Sequence, residues 1–241
     1  MRKSMCVKNN SMRTTNVNPS DLNYDKYTTD KYDRDIVNSI PFHREVHDLI
    51  AGFASSFKKG EKYEVLDLGV GTAITSRMLK DILPNSHFDL VDFSQRMLNG
   101  AKKKMGKENA RYIFGDYSKI KFDQKYNIVI SVIGVHHQNI QGKKKLFKKI
   151  FCLLNNGGYF IFGDLVTYLD KRKAALNNAK HFKYLAEKAT DEKTLSDWAY
   201  HHMFLNDLAP VEEQVKWLKE IGFKVSIKFL KFNTALIICK K

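Results

Sequence analysis

Cysteine is scarce in this chain: Cys6, Cys152 and Cys239 are the only three in 241 residues. Odd in number and widely scattered, they argue against a disulfide framework and against a zinc site. Long apolar runs are missing too. None reaches the ~18 residues that a membrane-spanning helix needs, so no membrane partner is expected. The stretch Met1 to Ser20 is polar and lacks the apolar segment of a signal peptide, so a cytoplasmic protein is expected. Internal repeats are absent. Arginine is sparse as well, eight of 41 basic residues.

That last shortage bears on the net charge of +15. Such a charge suits an anionic partner such as nucleic acid. Readers of nucleic acid favour arginine, whose planar fork binds two acceptors at once, which lysine does not do. Lysine spread evenly over the chain is equally a matter of overall composition. A nucleic-acid partner is therefore open but not favoured.

What is present is a globular pattern: 43% of residues are apolar, enough for one domain with a sizeable core. Residues 1–22 read as a flexible tail and 23–241 as a single domain. Tyr24 to Ser56 turns helical, with Ile36, Val37 and Ile40 before Pro41, and Val46, Leu49, Ile50 and Phe53 as a stripe. Strand–helix alternation follows. Strands are predicted at Glu64–Leu68, His87–Val91, Arg111–Phe114, Asn127–Val132 and Tyr159–Phe162. Helices are predicted over 72–83, around Leu98 to Met105, and over 141–154. In the last of these, Lys143, Lys144, Lys145, Lys148 and Lys149 are expected largely on the solvent side. The run Asn155-Asn156-Gly157-Gly158 is expected to stop it with a left-handed glycine cap.

Residues 170–208 read as a helical insertion, and Pro210 opens a helix that Gly222 ends. Lys224–Lys231 and Thr234–Cys239 read as a terminal antiparallel hairpin around Asn233. The fold class is therefore α/β: a mostly parallel sheet, helices on both faces, an antiparallel hairpin at the end. Segments 23–56 and 167–209 are expected to form a helical lid. Ligands of such sheets bind beyond the carboxyl ends of the strands, where strand order reverses.

Chemistry concentrates at those ends. Asp67-Leu68-Gly69-Val70-Gly71-Thr72-Ala73 joins the first strand to its helix. Gly69 and Gly71 permit a tight turn and close approach of a ligand to backbone. A glycine turn alone fits an ordinary strand–helix junction or a nicotinamide site. Asp67, just before the first glycine, can hold a cationic group and would be a poor neighbour for a pyrophosphate. After the second strand, Asp92 can accept both hydroxyls of a ribose; Ser94 suits the cap of the next helix better. Phe93 and Met97 flank that acid. After the third strand, Asp116 can accept from an adenine amino group, with Tyr117 beside the ring. A plain turn there fits nearly as well. The fourth strand ends in Ser131-Val132-Ile133-Gly134-Val135-His136-His137.

In combination, Asp67–Gly71, Asp92, Gly115-Asp116, Ser131–His137 and Leu153–Gly158 resemble the class I methyltransferases that use S-adenosylmethionine (SAM). The likeness covers roughly residues 60–165. It implies a Rossmann-like seven-stranded sheet and SAM as cofactor. It implies that Asp67, Gly69, Gly71, Asp92, Phe93, Met97, Asp116, Tyr117 and Ser131 bind it. Ala73 departs from the pattern, which often has a third glycine there. A likeness over nearly the whole chain, through Ser39-Ile40-Pro41 and Val211-Glu212-Glu213-Gln214, is to the branch that includes carboxy-SAM synthase of tRNA wobble-uridine modification. That synthase holds its extra carboxylate with an arginine in the late insertion. No arginine follows Arg172 here, which favours plain SAM.

Methyl transfer is an in-line displacement, so the enzyme aligns the nucleophile and, where needed, removes its proton. His137 is the first candidate base and His136 the second; a structural role for either is the alternative. Asp164 could hold a polar acceptor or cap a loop. Tyr24, Tyr27, Tyr32 and Phe42 could form an N-terminal lid. Trp198, Tyr200, His201, His202, Met203 and Phe204 are expected to line the acceptor pocket, with Tyr32, Asp164, Tyr200 and His201 touching the acceptor. No spacing of His, Cys or Asp points to a metal. The expected activity is methylation of O, N or S on a small molecule, with a homodimer open. The alternatives are a tRNA-modifying enzyme and a SAM-binding protein without turnover.

Overall fold

The computed structural model describes Leu22, residues 24–26 and residues 28–241. The expected tail over 1–22, except Leu22, and Tyr27 of the expected lid lie outside them. After a short turn at Tyr24–Lys26 come helices α1 (Thr29–Ser39) and α2 (His43–Ala54). Then follow β1 (Glu64–Leu68), α3 (Ile74–Ile82), β2 (His87–Asp92), α4 (Gln95–Met105), β3 (Ala110–Phe114) and β4 (Tyr126–Val132). Next come α5 (Ile140–Leu153), β5 (Leu154–Leu165), α6 (Lys171–Lys188), α7 (Glu192–Tyr200) and a π-helical turn, His201–Leu205. The chain closes with α8 (Val211–Ile221), β6 (Lys224–Lys231) and β7 (Thr234–Lys240).

The seven strands form one sheet in the order β3-β2-β1-β4-β5-β7-β6. The first five are parallel; β7 runs antiparallel to both β5 and β6. Strand order reverses between β1 and β4, which puts the ligand crevice at their carboxyl ends. Side chains alternate across the sheet, as the pleat requires. Leu66, Val129, Phe160, Phe162 and Ile237 join the core under α5 and α8. Val65, Ile128, Ile130, Ile161 and Ile238 join the core under α2, α3 and α4. Both faces of the central strands are buried, and so their sequences read as almost unbroken apolar runs.

Three expectations are corrected. The helix α5 is not ended by glycine. The residue that caps its C-terminus, Leu154, is extended (φ −75°, ψ 141°) and already begins β5. Gly157 and Gly158 serve the sheet instead: a Cβ on Gly158 would lie 2.9 Å from the Asn155 carbonyl oxygen and 3.0 Å from that of Asn127. Lys143 is not on the solvent side. It is buried, with its ammonium donating to the Gln138 and Asp207 carbonyls. The stripe of α2 is rotated: His43 and His47 are buried with Val46 and Ile50, while Leu49 is exposed. Among the described residues, no helix is long and apolar enough to cross a membrane.

Candidate active site

The glycine loop after β1 bends because Gly69 and Gly71 take left-handed backbone (φ +81° and +54°). The Gly69 and Val70 N–H groups both donate to the Val91 carbonyl at 2.9 Å, which ties the loop to the end of β2. Ala73 is also left-handed (φ +65°) and precedes α3. It takes that conformation at a steric cost a third glycine would not carry. Asp92 is buried; one carboxylate oxygen accepts from Gly71 N–H and the other from Ser94 N–H, both at 2.8 Å. Ser94 caps α4 by accepting from Met97 N–H. Burial pushes the Asp92 carboxyl up to about 6, against the lowering effect of those hydrogen bonds.

These elements wall a cavity of about 790 Å³, open mouth included, a size suited to a cofactor. Gly69, Gly71, Asp92, Phe93, Met97, Asp116, Tyr117 and His137 all line it, with Tyr24 and Tyr32 from the N-terminal segment. Asp116 accepts from Ser118 N–H at 2.9 Å, and Lys119 lies 3.4 Å from its other oxygen. Tyr117 is buried, its hydroxyl donating to the Gly134 carbonyl at 3.0 Å.

Two expected cofactor residues stand elsewhere. Ser131 donates its hydroxyl to the Leu68 carbonyl at 2.9 Å, latching β4 to β1 rather than lining the cavity. Asp67 faces a narrower adjoining cavity of about 390 Å³, shared with Tyr32, Gly69, Gly71, His43 and His47. Its carboxylate accepts from Ser76 at 2.5 Å. Burial pushes it up to about 7, with Asp92 adding in the same direction. His43 and His47 carry no sequence signal of a site; the helical stripe read there was purely aliphatic and aromatic.

A second cavity, about 660 Å³, shares Tyr24, Tyr32 and Ile133 with the first. Ile36, Ile40, Leu165 and Leu185 make it apolar; His136, His201, His202 and Trp198 also line it. Ile133 sits at the junction in left-handed backbone (φ +55°), which a β-branched side chain rarely adopts. Tyr200, Met203 and Phe204 do not line either cavity. They are exposed, and Tyr200 and Phe204 pack on each other with ring centroids 5.1 Å apart. These three residues lie on the outward side of the segment, which the sequence cluster alone did not resolve. Phe42 packs on Phe229 and Phe232, away from the cavities.

Asp164 lines neither of the two cavities. Its oxygens accept from the His136 ring Nδ1–H, the His136 backbone N–H and the Leu165 N–H. His137 donates Nδ1–H to the Leu205 carbonyl at 3.0 Å, which leaves Nε2 to accept from the Tyr24 hydroxyl at 3.2 Å. Burial above all, then neighbouring basic groups, holds both imidazoles well below the usual histidine range and hence neutral. His201, 64 residues further along, packs edge-on against His137 with centroids 5.4 Å apart. The spacing in the sequence carries no hint of that triple.

Known proteins resemble this chain in sequence and in fold. The family described as "Methyltransferase domain" matches residues 65–158. Malonyl-[acyl-carrier protein] O-methyltransferase 2 of Ilyobacter polytropus is 31% identical over 183 residues, 73% of this chain and 68% of its own. Carboxy-S-adenosyl-L-methionine synthase of Staphylococcus epidermidis is 24% identical over 90% of this chain and 96% of its own. Among solved structures, an O-methyltransferase family protein from Burkholderia thailandensis superposes with TM-score 0.65 at 13% identity, covering 90% of this chain and 60% of that one. The chain spans little more than half the length of an O-methyltransferase structure from Nostoc punctiforme (56%; TM-score 0.61). The chain belongs to the class I SAM-dependent methyltransferases, and SAM is its cofactor.

Proposed function

We propose that the protein transfers the methyl group of SAM to an O, N or S atom of a small molecule held in the second cavity. The carrying observation is the shared wall: Tyr24, Tyr32 and Ile133 line both cavities, with His137 on the cofactor side and His136 and His201 on the other. A donor in one and an acceptor in the other would meet across that wall, in line for displacement. The name of the Ilyobacter relative puts oxygen first among the three acceptor atoms.

In this reading SAM lies along Asp92, Phe93, Met97, Asp116 and Tyr117. Its cationic end reaches the glycine loop, where Asp67 supplies the opposite charge. His137 is assigned removal of the acceptor's proton: its Nδ1 is committed to Leu205, and its Nε2 takes the proton once the acceptor displaces the Tyr24 hydroxyl that now donates to it. The acceptor's lone pair forms the new bond to carbon, the C–S pair returns to sulfur, and S-adenosylhomocysteine leaves. His136 is a positioning residue, fixed by Asp164.

The second cavity, with an aliphatic wall of Ile36, Ile40, Leu165 and Leu185, supports a small acceptor over RNA. So do the lysines. Lys143 is buried, Lys149 donates to the Tyr117 carbonyl at 2.7 Å, and Lys104 pairs with Asp33. These three are engaged by partners within the chain. A second reading, a carboxy-SAM synthase, is favoured by the 90% and 96% coverage of that relative. Against it, no arginine is among the described residues lining either cavity.

Filling the second cavity tests the assignment. Ser39→Trp, at the end of α1 and lining only that cavity, is expected to abolish methyl transfer while S-adenosylhomocysteine still binds. Undiminished turnover in this variant would place the acceptor elsewhere.

A further inference from the structure

Three histidines from two distant parts of the chain converge on the wall between the cavities. One ring nitrogen from each of His136, His137 and His201 lies within 4.8 Å of the other two. Their outer partners are already set. The Asp164 carboxylate takes the His136 Nδ1–H at 2.5 Å, and the Leu205 carbonyl takes the His137 Nδ1–H at 3.0 Å. Carboxylate or carbonyl behind one ring nitrogen, with the other turned to the metal, is how metal-binding histidines are oriented; at His137 that other nitrogen accepts from the Tyr24 hydroxyl at 3.2 Å, a contact the cation would replace.

We propose that His136, His137 and His201 form an open divalent-metal site for a zinc-type cation, with its free coordination position toward the acceptor cavity. Three neutral imidazoles suit Zn²⁺, Co²⁺, Ni²⁺ or Fe²⁺ and are too soft for Mg²⁺ or Ca²⁺. Three protein ligands leave a fourth position for water or substrate, as in catalytic zinc sites. The buried Asp164 offsets part of the cation's charge from the outer shell. Nitrogens around tetrahedral zinc stand roughly 3.3 Å apart at Zn–N distances of about 2.0–2.1 Å. Closing the present spread to that requires the rings to move together, and His201, which is half-buried and belongs to a π-helical turn, is the member placed to move. Such turns occur frequently at functional sites.

The location gives the cation its use. An acceptor R–XH entering the second cavity would take the fourth position, and the cation would lower its pKa. The proton goes to solvent, the X lone pair attacks the methyl carbon, and the C–S electrons return to sulfur. In the loaded protein the cation thus takes over from His137 the task of lowering the acceptor's hold on its proton. The role rests on the acceptor being in the second cavity; the site itself does not.

Cobalt titration of the untagged full chain, stripped with a chelator, tests the site without any methyl transfer. One Co²⁺ per chain is expected, with the visible ligand-field absorption of a four-coordinate nitrogen–oxygen site, displaced by Zn²⁺. Removing an outer-shell partner costs roughly 10–100-fold in metal affinity, and loss of a ligand costs more. Accordingly His201→Ala is expected to weaken Co²⁺ more than about 100-fold while retaining S-adenosylhomocysteine binding as proof of folding. His87→Gln, at the start of β2, is expected to bind as the parent does. Absence of stoichiometric Co²⁺, binding that survives His201→Ala, or equal loss in both variants overturns the proposal. None of those results touches the assignment of the two cavities, which Ser39→Trp tests separately.

Discussion

Asp164 grips His136 at two points: one carboxylate oxygen is 2.5 Å from the ring Nδ1 and the other accepts the backbone N–H at 2.9 Å. The grip joins the end of β5 to the turn after β4 and fixes which face of the imidazole meets the second cavity. Burial pushes the Asp164 carboxyl up to about 7, so this link is made in a dry environment.

Asp164→Asn is therefore expected to act on the scaffold as well as on turnover. An amide cannot accept from both His136 groups, and a buried donor left without a partner costs about 1–3 kcal/mol. Thermal or urea unfolding should show a loss of about 2–3 kcal/mol, with kcat reduced. A rise in acceptor KM alone, at unchanged stability, would instead make Asp164 an acceptor contact.

SAM affinity is expected to depend on pH through Asp67 and Asp92. Burial raises both, to about 7 and about 6, from an ordinary 3.8. Between those values the folded protein without ligand holds more protons than the unfolded chain, so these two groups lower its stability as pH rises through that window. A cationic ligand favours the ionised carboxylates, so its affinity should rise from pH 5 to pH 8 with release of protons. Calorimetry in buffers of different ionisation enthalpy reads that release directly; proton uptake on SAM binding would contradict it.

Lys143 separates structural from surface lysines. Its ammonium is buried and serves two carbonyls, and burial pushes its pKa down to about 8. Lys143→Met should cost about 2–4 kcal/mol because both carbonyls lose their donor. The exposed neighbour Lys145→Met should stay within about 0.5 kcal/mol. Chemical denaturation of the two variants side by side makes the comparison.

The sheet and the crevice at the carboxyl ends of its strands were legible because their signals are local. Period-two and unbroken apolar strands, the Gly69–Gly71 turn, and acids at Asp92 and Asp116 each lie within a few residues of what they organise. What stayed hidden depends on contacts far apart in the chain. Asp164 looked available because its partner His136 is 28 residues earlier, and Lys143 looked solvated because the Asp207 carbonyl is 64 residues later. Tyr200 and Phe204 belong to an aromatic cluster whose inward members, Trp198, His201 and His202, are chosen only by the packing of the lid. Ser131 kept the right strand end but turned to the Leu68 carbonyl.

Mass spectrometry with SAM carrying a labelled methyl group, in the presence of a metabolite extract, tests the central claim most directly. The predicted result is S-adenosylhomocysteine together with a small molecule carrying the label. Both should be lost in Ser39→Trp and strongly reduced in His137→Ala, while both variants still bind S-adenosylhomocysteine. SAM bound without turnover, or conversion of SAM to its carboxylated form with no methylated acceptor, would contradict the account.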